Sequence, residues 1–257
     1  MLSEKEIYLS TVLLEKNRWG SREPSIKLSD WLDKINDAGF DGLELWENHI
    51  LKSETSELQA LQESGLPVKV LNTYCDFDDE SADKRKLSAE LANKVNAKGV
   101  KFNFGNKKEL EKVYIENMIK WQELLPDGCK LLCECHPYTV LEELDEAIRI
   151  MNSVSEHVEI IVHAFGGSEE DFDKRLSGFA STVSHIHVAG GGVEGYRYSP
   201  LNLGDRVPTR IEKLNEYGFK GTWTIEFCDG VASKDENIDD IFSAAKADLN
   251  TLRGLIV

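Results

Sequence analysis

The chain has 257 residues, 41% of them apolar, which is enough for one large core and close to the usual length of a barrel. Its formal net charge of −16 opposes a phosphate backbone, and no Lys/Arg-rich stripe interleaved with aromatics offsets it, so no nucleic-acid partner is expected. No run approaches the roughly 18 apolar residues of a membrane span, the opening Met1-Leu2-Ser3-Glu4-Lys5-Glu6 lacks the order of a secretory signal, and five cysteines without a Cys-x-x-Cys pair suggest reduced thiols in a cytoplasmic protein.

Taken in chain order, β-rich runs alternate with helix-period segments. A strand is expected over Ile7 to Leu14 and a helix over Leu28 to Ala38, then a strand over Gly42 to Trp46 and a helix over Ser56 to Glu63. The alternation continues with Val68 to Thr73 and Ala82 to Ala97, Val100 to Phe104 and Lys108 to Leu125, and Lys130 to Cys135 and Leu141 to Val154. It ends with Glu159 to Ala164 and Glu169 to Phe179, His185 to Ala189 and Pro208 to Tyr217, and Trp223 to Phe227 and Ile238 to Leu255. Eight strands alternating with eight helices predict an α/β fold, a single (β/α)8 TIM barrel over residues 1–257. Gly39, Gly65, Gly99, Gly128 and Gly218 stand between a helix and the next strand, where left-handed backbone is expected. The longer polar connections, Trp46 to Thr55, Tyr74 to Ser81 and Gly190 to Gly204, fall on the opposite rim, where a barrel builds its site.

Four of the later strands carry side chains that a buried strand avoids. They lie in Leu131-Leu132-Cys133-Glu134-Cys135-His136-Pro137, Ile160-Ile161-Val162-His163-Ala164, His185-Ile186-His187-Val188 and Thr222-Trp223-Thr224-Ile225-Glu226-Phe227. Alternation puts residues two apart on one side. Glu134 and His136 then point inward while Cys133 and Cys135 face the helices; His185 shares a side with His187, and Glu226 with Thr224 and Cys228. Alone, His163 reads as a hydrogen-bonded core histidine, and Glu134 or Glu226 as half of an ion pair with Lys101. Two carboxylates and two imidazoles at one height on four successive strands are hard to satisfy pairwise. One divalent cation bound by Glu134, His163, His187 and Glu226 satisfies all four.

At these residues the chain resembles the xylose isomerase-like superfamily of TIM barrels, which includes sugar isomerases and epimerases, hydroxypyruvate isomerases, 3-dehydroshikimate dehydratases and endonuclease IV. The resemblance covers essentially the whole chain. It rests on Ala38-Gly39-Phe40-Asp41-Gly42-Leu43-Glu44-Leu45-Trp46, Glu134-Cys135-His136-Pro137, His185-Ile186-His187, Gly204-Asp205, and Tyr217-Gly218-Phe219-Lys220-Gly221 leading to Thr224-Ile225-Glu226. It implies one divalent metal held by Glu, Asp, His and Glu from strands five to eight. Glu134, His187 and Glu226 fill three of those roles, His163 stands where relatives usually have Asp, and Gly166 stands where many carry a further His. Imidazole in place of carboxylate balances a divalent charge, so the expected ion is Zn, Mn, Co or Fe rather than Mg. The multinuclear zinc site of the endonuclease branch needs further His and Asp ligands with no counterpart here.

The resemblance also implies a small-molecule carbohydrate substrate and an isomerase or epimerase acting through an enediolate, with Glu134 and Glu226 exchanging the proton. A lyase that dehydrates a cyclic hydroxy-ketone or eliminates across a keto-glycoside is the alternative. A third reading is a sugar-binding barrel without turnover. His136 would hydrogen-bond a substrate hydroxyl or pack beside Pro137, and Lys101 would meet a substrate oxygen or only pair with an acid. Glu44 is expected to pair with a barrel cation such as Lys101, or else to orient a hydroxyl. Trp46, with His49, Tyr74 and Phe104, would wall a sugar ring or pack the rim. The glycine-rich segment from Gly190 to Ser199 is a candidate lid bringing Arg197 or Tyr198 inward. Related barrels assemble through helical faces, which leaves a homo-oligomer open.

Overall fold

The computed structural model describes residues 5–189 and 204–256. Eight parallel strands close into a barrel in sequence order. They are β1 Ile7–Ser10, β2 Leu43–Trp46, β3 Val68–Asn72, β4 Gly99–Phe102, β5 Lys130–Glu134, β6 Val158–His163, β7 Val183–Val188 and β8 Thr222–Ile225. The ring closes where Ile7 and Tyr8 pair with Trp223 and Thr224. Around it run α1 Leu32–Ala38, α2 Asn48–Leu51, α3 Thr55–Glu63, α4 Ala82–Lys94, α5 Glu111–Gln122, α6 Leu144–Ser153, α7 Glu169–Phe179, α8 Arg206–Glu216 and α9 Ile238–Leu255. The predicted (β/α)8 barrel is the observed fold. Among the described residues no helix is long and apolar enough to cross a membrane.

The apolar core divides in two. A continuous shell fills the space between strands and helices, while a separate group, Tyr8, Val70, Leu132 and Ile161, packs together on the inward side of its strands. Two residues further along those four strands stand Ser10, Asn72, Glu134 and His163, so strand alternation carries the interior from hydrocarbon to polar groups in one step. This apolar plug seals the barrel beneath the site.

Differences from expectation are local. The first strand ends at Ser10, and Thr11–Leu14 form a buried 3-10 turn instead of continuing it. The Thr11 hydroxyl accepts the Trp46 N–H at 2.8 Å, which holds this turn against β2. The short helix α2 was not expected. Gly39, Gly65, Gly128 and Gly218 are left-handed as expected, but Gly99 is not; Asn96 takes that conformation before β4, at φ 51°. Gly99 is a strand residue whose added Cβ would lie 2.8 Å from Leu132 Cδ1, so its small size serves close packing inside the barrel.

Candidate functional site

The lower polar layer is closed. Glu44 on β2 is fully buried, and its carboxylate accepts from Asn72 Nδ2 at 3.1 Å, from Ser10 Oγ at 3.4 Å and from His187 Nε2 at 3.0 Å. His185 Nδ1 and Nε2 meet the hydroxyls of Thr222 and Thr224 at 2.7 and 2.9 Å. Burial would push the Glu44 carboxyl up, but His187 and His185 hold it far below the carboxylate range. For His185 burial dominates and depresses the imidazole. Glu44 was expected to pair with a barrel cation such as Lys101, or else to orient a substrate hydroxyl. Its cationic partner is His187 instead of Lys101, and it does not line the cavity: parity fixes the side on which a residue lies, not the strand it meets across the barrel, and here that strand is β7.

The layer above is open. Glu134, His163, His187 and Glu226 each offer a donor atom, and these atoms lie within 4.8 Å of one another. Glu134 Oε2 is occupied by Lys101 Nζ at 2.8 Å and Asn103 Nδ2 at 3.2 Å. Its Oε1 faces His163 Nε2 at 2.6 Å and His187 Nδ1 at 3.7 Å. His187 Nδ1 lies 3.2 Å from Glu226 Oε2, yet both atoms are buried without a hydrogen-bond partner. Burial works against charge on Glu134 and His187. Lys101 foremost, helped by His163 and His187, nevertheless holds Glu134 well below the carboxylate range, while Glu226 and Glu44 hold His187 well above the histidine value. A buried ring nitrogen and a buried carboxylate oxygen that make no hydrogen bond, among two carboxylates and two imidazoles, fit a divalent cation that would displace the His187 Nδ1 proton.

Above these residues opens a cavity of about 610 Å³ lined by Tyr74, Lys101, Asn103, Glu134, Cys135, His136, Ile161, His163, Gly166, Glu226 and Phe227, with Trp19, Arg22, Tyr138, Asp171 and Arg175 also on its walls. His136 is on the wall but exposed at the mouth, its Nδ1 2.7 Å from the Pro137 carbonyl. Cys135 was expected toward the helices and instead lines the cavity, because β5 ends at Glu134 and alternation lapses there. Phe227 also turns inward; its N–H and that of Glu226 both point to the Val188 carbonyl, breaking the alternation after β8. Trp46 is a correction: it is fully buried and absent from the lining, its ring edge-on to Tyr74 and His49. His49 is buried against Glu15 at 2.7 Å and Thr11 at 2.9 Å, and Phe104 is buried in the outer shell. Arg197, Tyr198 and the glycine-rich candidate lid lie outside the described residues.

Two anchors were missed in the sequence. Asn103, one residue past β4, lies on the same inward side as Lys101, so the same alternation extended by two residues would have found it. Arg210 on α8 is fully buried and donates to the carbonyls of Ala164, Gly166 and Gly167 at 2.8, 2.5 and 3.1 Å, fixing the segment after His163. Beside it, a Cβ added to Gly166 would meet nothing within 4 Å.

Among solved structures the chain is similar to 3-keto-D-glucoside 4-epimerase YcjR from E. coli, at 17% identity and a TM-score of 0.67, over 98% of this chain and 100% of that one. A xylose isomerase-like TIM barrel protein from Mycobacterium smegmatis in complex with magnesium matches at 15% identity and a TM-score of 0.65, over all of both chains. Endonuclease IV from Thermus thermophilus matches at 12% identity and a TM-score of 0.61, over 96% of this chain and 99% of that one. At these identities the likeness is one of fold. No curated protein matches by sequence. The family model described as xylose isomerase-like TIM barrel matches residues 32–248, and the chain belongs to that family.

Proposed function

We propose that the protein is a divalent-metal-dependent isomerase or epimerase acting on a keto-sugar or related hydroxy-ketone through an enediolate. The observation that carries this reading is the pair of buried atoms, His187 Nδ1 and Glu226 Oε2, that lie 3.2 Å apart without a hydrogen bond, beside Glu134 and His163 at the foot of the cavity. Family membership and the likeness to an epimerase support it. A divalent cation held by Glu134, His163, His187 and Glu226 would draw charge from the ketone and hydroxyl oxygens on adjacent substrate carbons and ease loss of the proton from the hydroxyl-bearing carbon next to the ketone.

The chain's own groups divide the remaining work. Glu44 accepts the His187 Nε2 proton, so Nδ1 is the ring nitrogen that would give up its proton to a cation in the upper cluster. Lys101 and Asn103 hold one oxygen of Glu134 and keep it ionised, so the other oxygen is the one presented to the site. Glu134 and Glu226 stand at the ends of β5 and β8, where one takes the carbon-bound proton and the other returns it. Return to the opposite face of the same carbon gives an epimer, and return to its neighbour gives an aldose from a ketose. Tyr74 and Phe227 wall the cavity above them and limit water. Two imidazoles beside two carboxylates suit Zn, Mn, Co or Fe better than Mg.

The test joins metal content to isotope exchange. Protein purified without chelator should carry about one such ion per chain by elemental mass spectrometry, lost in Glu134→Gln and His163→Ala. In deuterated water it should place deuterium at the carbon next to the ketone of a keto-sugar and form an epimer or aldose. An unsaturated, dehydrated product would reassign the reaction to a lyase. Protein that takes up no metal after incubation with all four ions would end the mechanism.

A further inference from the structure

We infer that Arg22 and Arg175 read an anionic group on the substrate, which makes the substrate an acidic hydroxy-ketone, either a sugar acid or a sugar phosphate. The inference rests on the preceding reading only for the substrate's other end. Its first support is the way the arginines are distributed. In a chain with 46 acidic residues against 30 Lys and Arg, an arginine readily finds a carboxylate. Arg18, Arg149, Arg206, Arg210 and Arg253 all do, and Arg85 donates to the Asp76 and Asp78 carbonyls. Among the described residues, only Arg22 and Arg175 are left with neither an acid within 4 Å nor a carbonyl, and both are on the cavity wall. Asp171 also faces the cavity, one turn before Arg175 on α7, and no ion pair joins them among the described residues.

Arg22 is also held in place. Its backbone is left-handed at φ 55°, an uncommon state for a residue with a side chain. Its carbonyl accepts from Asn48 Nδ2 at 2.9 Å and Lys52 Nζ at 3.2 Å, which pins that conformation. The guanidinium lies 4.3 Å from the centre of the Tyr74 ring. Tyr74 is held in turn by its backbone N–H, which donates to Glu47 Oε1 at 2.7 Å, and by the edge-on contact of its ring with Trp46. Lys101 Nζ lies 5.6 Å from the same ring centre and pairs with Glu134. The rim guanidinium and the floor ammonium are therefore separated by no more than those two legs, a reach within that of a six-carbon chain ending in an acid. A planar, always charged fork on an aromatic shelf suits a carboxylate or phosphate far better than a hydroxyl.

Three ketoses that differ only at the sixth carbon test this: D-fructose, D-fructuronate and D-fructose 6-phosphate. Binding is measured by calorimetry on the metal-loaded full chain, for the parent and for Arg22→Gln, Arg175→Gln, the double variant and Arg22→Lys. We expect at least one anionic ketose to bind about tenfold or more tightly than D-fructose, with the tighter one showing whether a carboxylate or a phosphate is read. Each Gln variant should lose part of that preference and the double variant nearly all, while D-fructose binding stays level and Arg22→Lys recovers part. A preference that survives in the double variant, equal binding of all three ketoses, or no binding of either anion overturns the proposal. Deuterium exchange is scored separately. Anion preference without exchange retires the carbon-acid reaction and keeps the anion reader, and exchange without preference does the reverse. Unchanged circular dichroism and melting in the variants exclude misfolding.

Discussion

Two His and Glu clusters are stacked inside this barrel, and they share His187. The lower one, Glu44 with His185 and His187, and the upper one, Glu134 with His163, His187 and Glu226, are built from the same residue types at similar spacing. Below, the acceptors and ring nitrogens are matched by Ser10, Asn72, Thr222 and Thr224. Above, His187 Nδ1 and Glu226 Oε2 have no hydrogen-bond partner and the cluster opens to a cavity. Residue type therefore does not separate a buttress from a site; hydrogen-bond satisfaction does. A satisfied cluster adds to stability, whereas an unsatisfied one spends stability on readiness to bind.

That contrast breaks most visibly under mutation. Glu44→Ala should destabilise the metal-free protein by about 3–5 kcal/mol in denaturant unfolding, because it strands His187 and Asn72 without their acceptor. Glu226→Gln should change stability by less than about 1 kcal/mol, yet lower isotope exchange by about 10²–10⁴-fold. Equal loss of stability in the two variants would show that both clusters are structural. A smaller effect is expected at His163→Asp, which adds a third carboxylate. Relative affinity for Mg over Mn should rise about tenfold in competitive metal titration, and an unchanged ratio would remove His163 from the ligand set.

The smallest effect concerns a third, remote carboxylate that is as well matched as the lower cluster. Glu15 accepts from the Ser25 N–H and hydroxyl and meets His49 at 2.7 Å. Burial alone would raise its carboxyl, but His49 and Ser25 outweigh that and lower it. Because the folded value is depressed, its contribution is complete above the unfolded value near ~4.3 and is lost as pH falls through the folded one. The stability gap between parent and Glu15→Gln should thus be full at neutral pH and close in acid below about pH 4. A gap that widened in acid would contradict the sign.

The barrel and the upper cluster were legible because both follow strand alternation, which survives burial intact. Glu134, His163, His187 and Glu226 occupy corresponding heights on β5 to β8, and the structure brings them together. Alternation could not show that Glu44 meets His187 across the barrel, a partner 143 positions away. It also failed beyond strand ends, as at Cys135 and Phe227. The rim residues Trp19, Arg22, Tyr138 and Arg175 carry no periodic signal that points them at a cavity; loop closure and a helix edge bring them there. Trp46 misled for a related reason, since its place at a strand terminus suggested a wall while its ring is buried edge-on against Tyr74 and His49.

Gly166 gives the site an evolutionary margin. Its carbonyl accepts from Arg210, and a Cβ there would meet open space in the cavity that His163 also lines. A side chain could be added at this position without repacking the barrel, so this backbone would accept a further donor next to the proposed metal site. The same slot, left bare, keeps room for a bulkier substrate. Exchange between those two uses needs no change in any strand, which lets one scaffold move among chemistries while its folding information stays untouched.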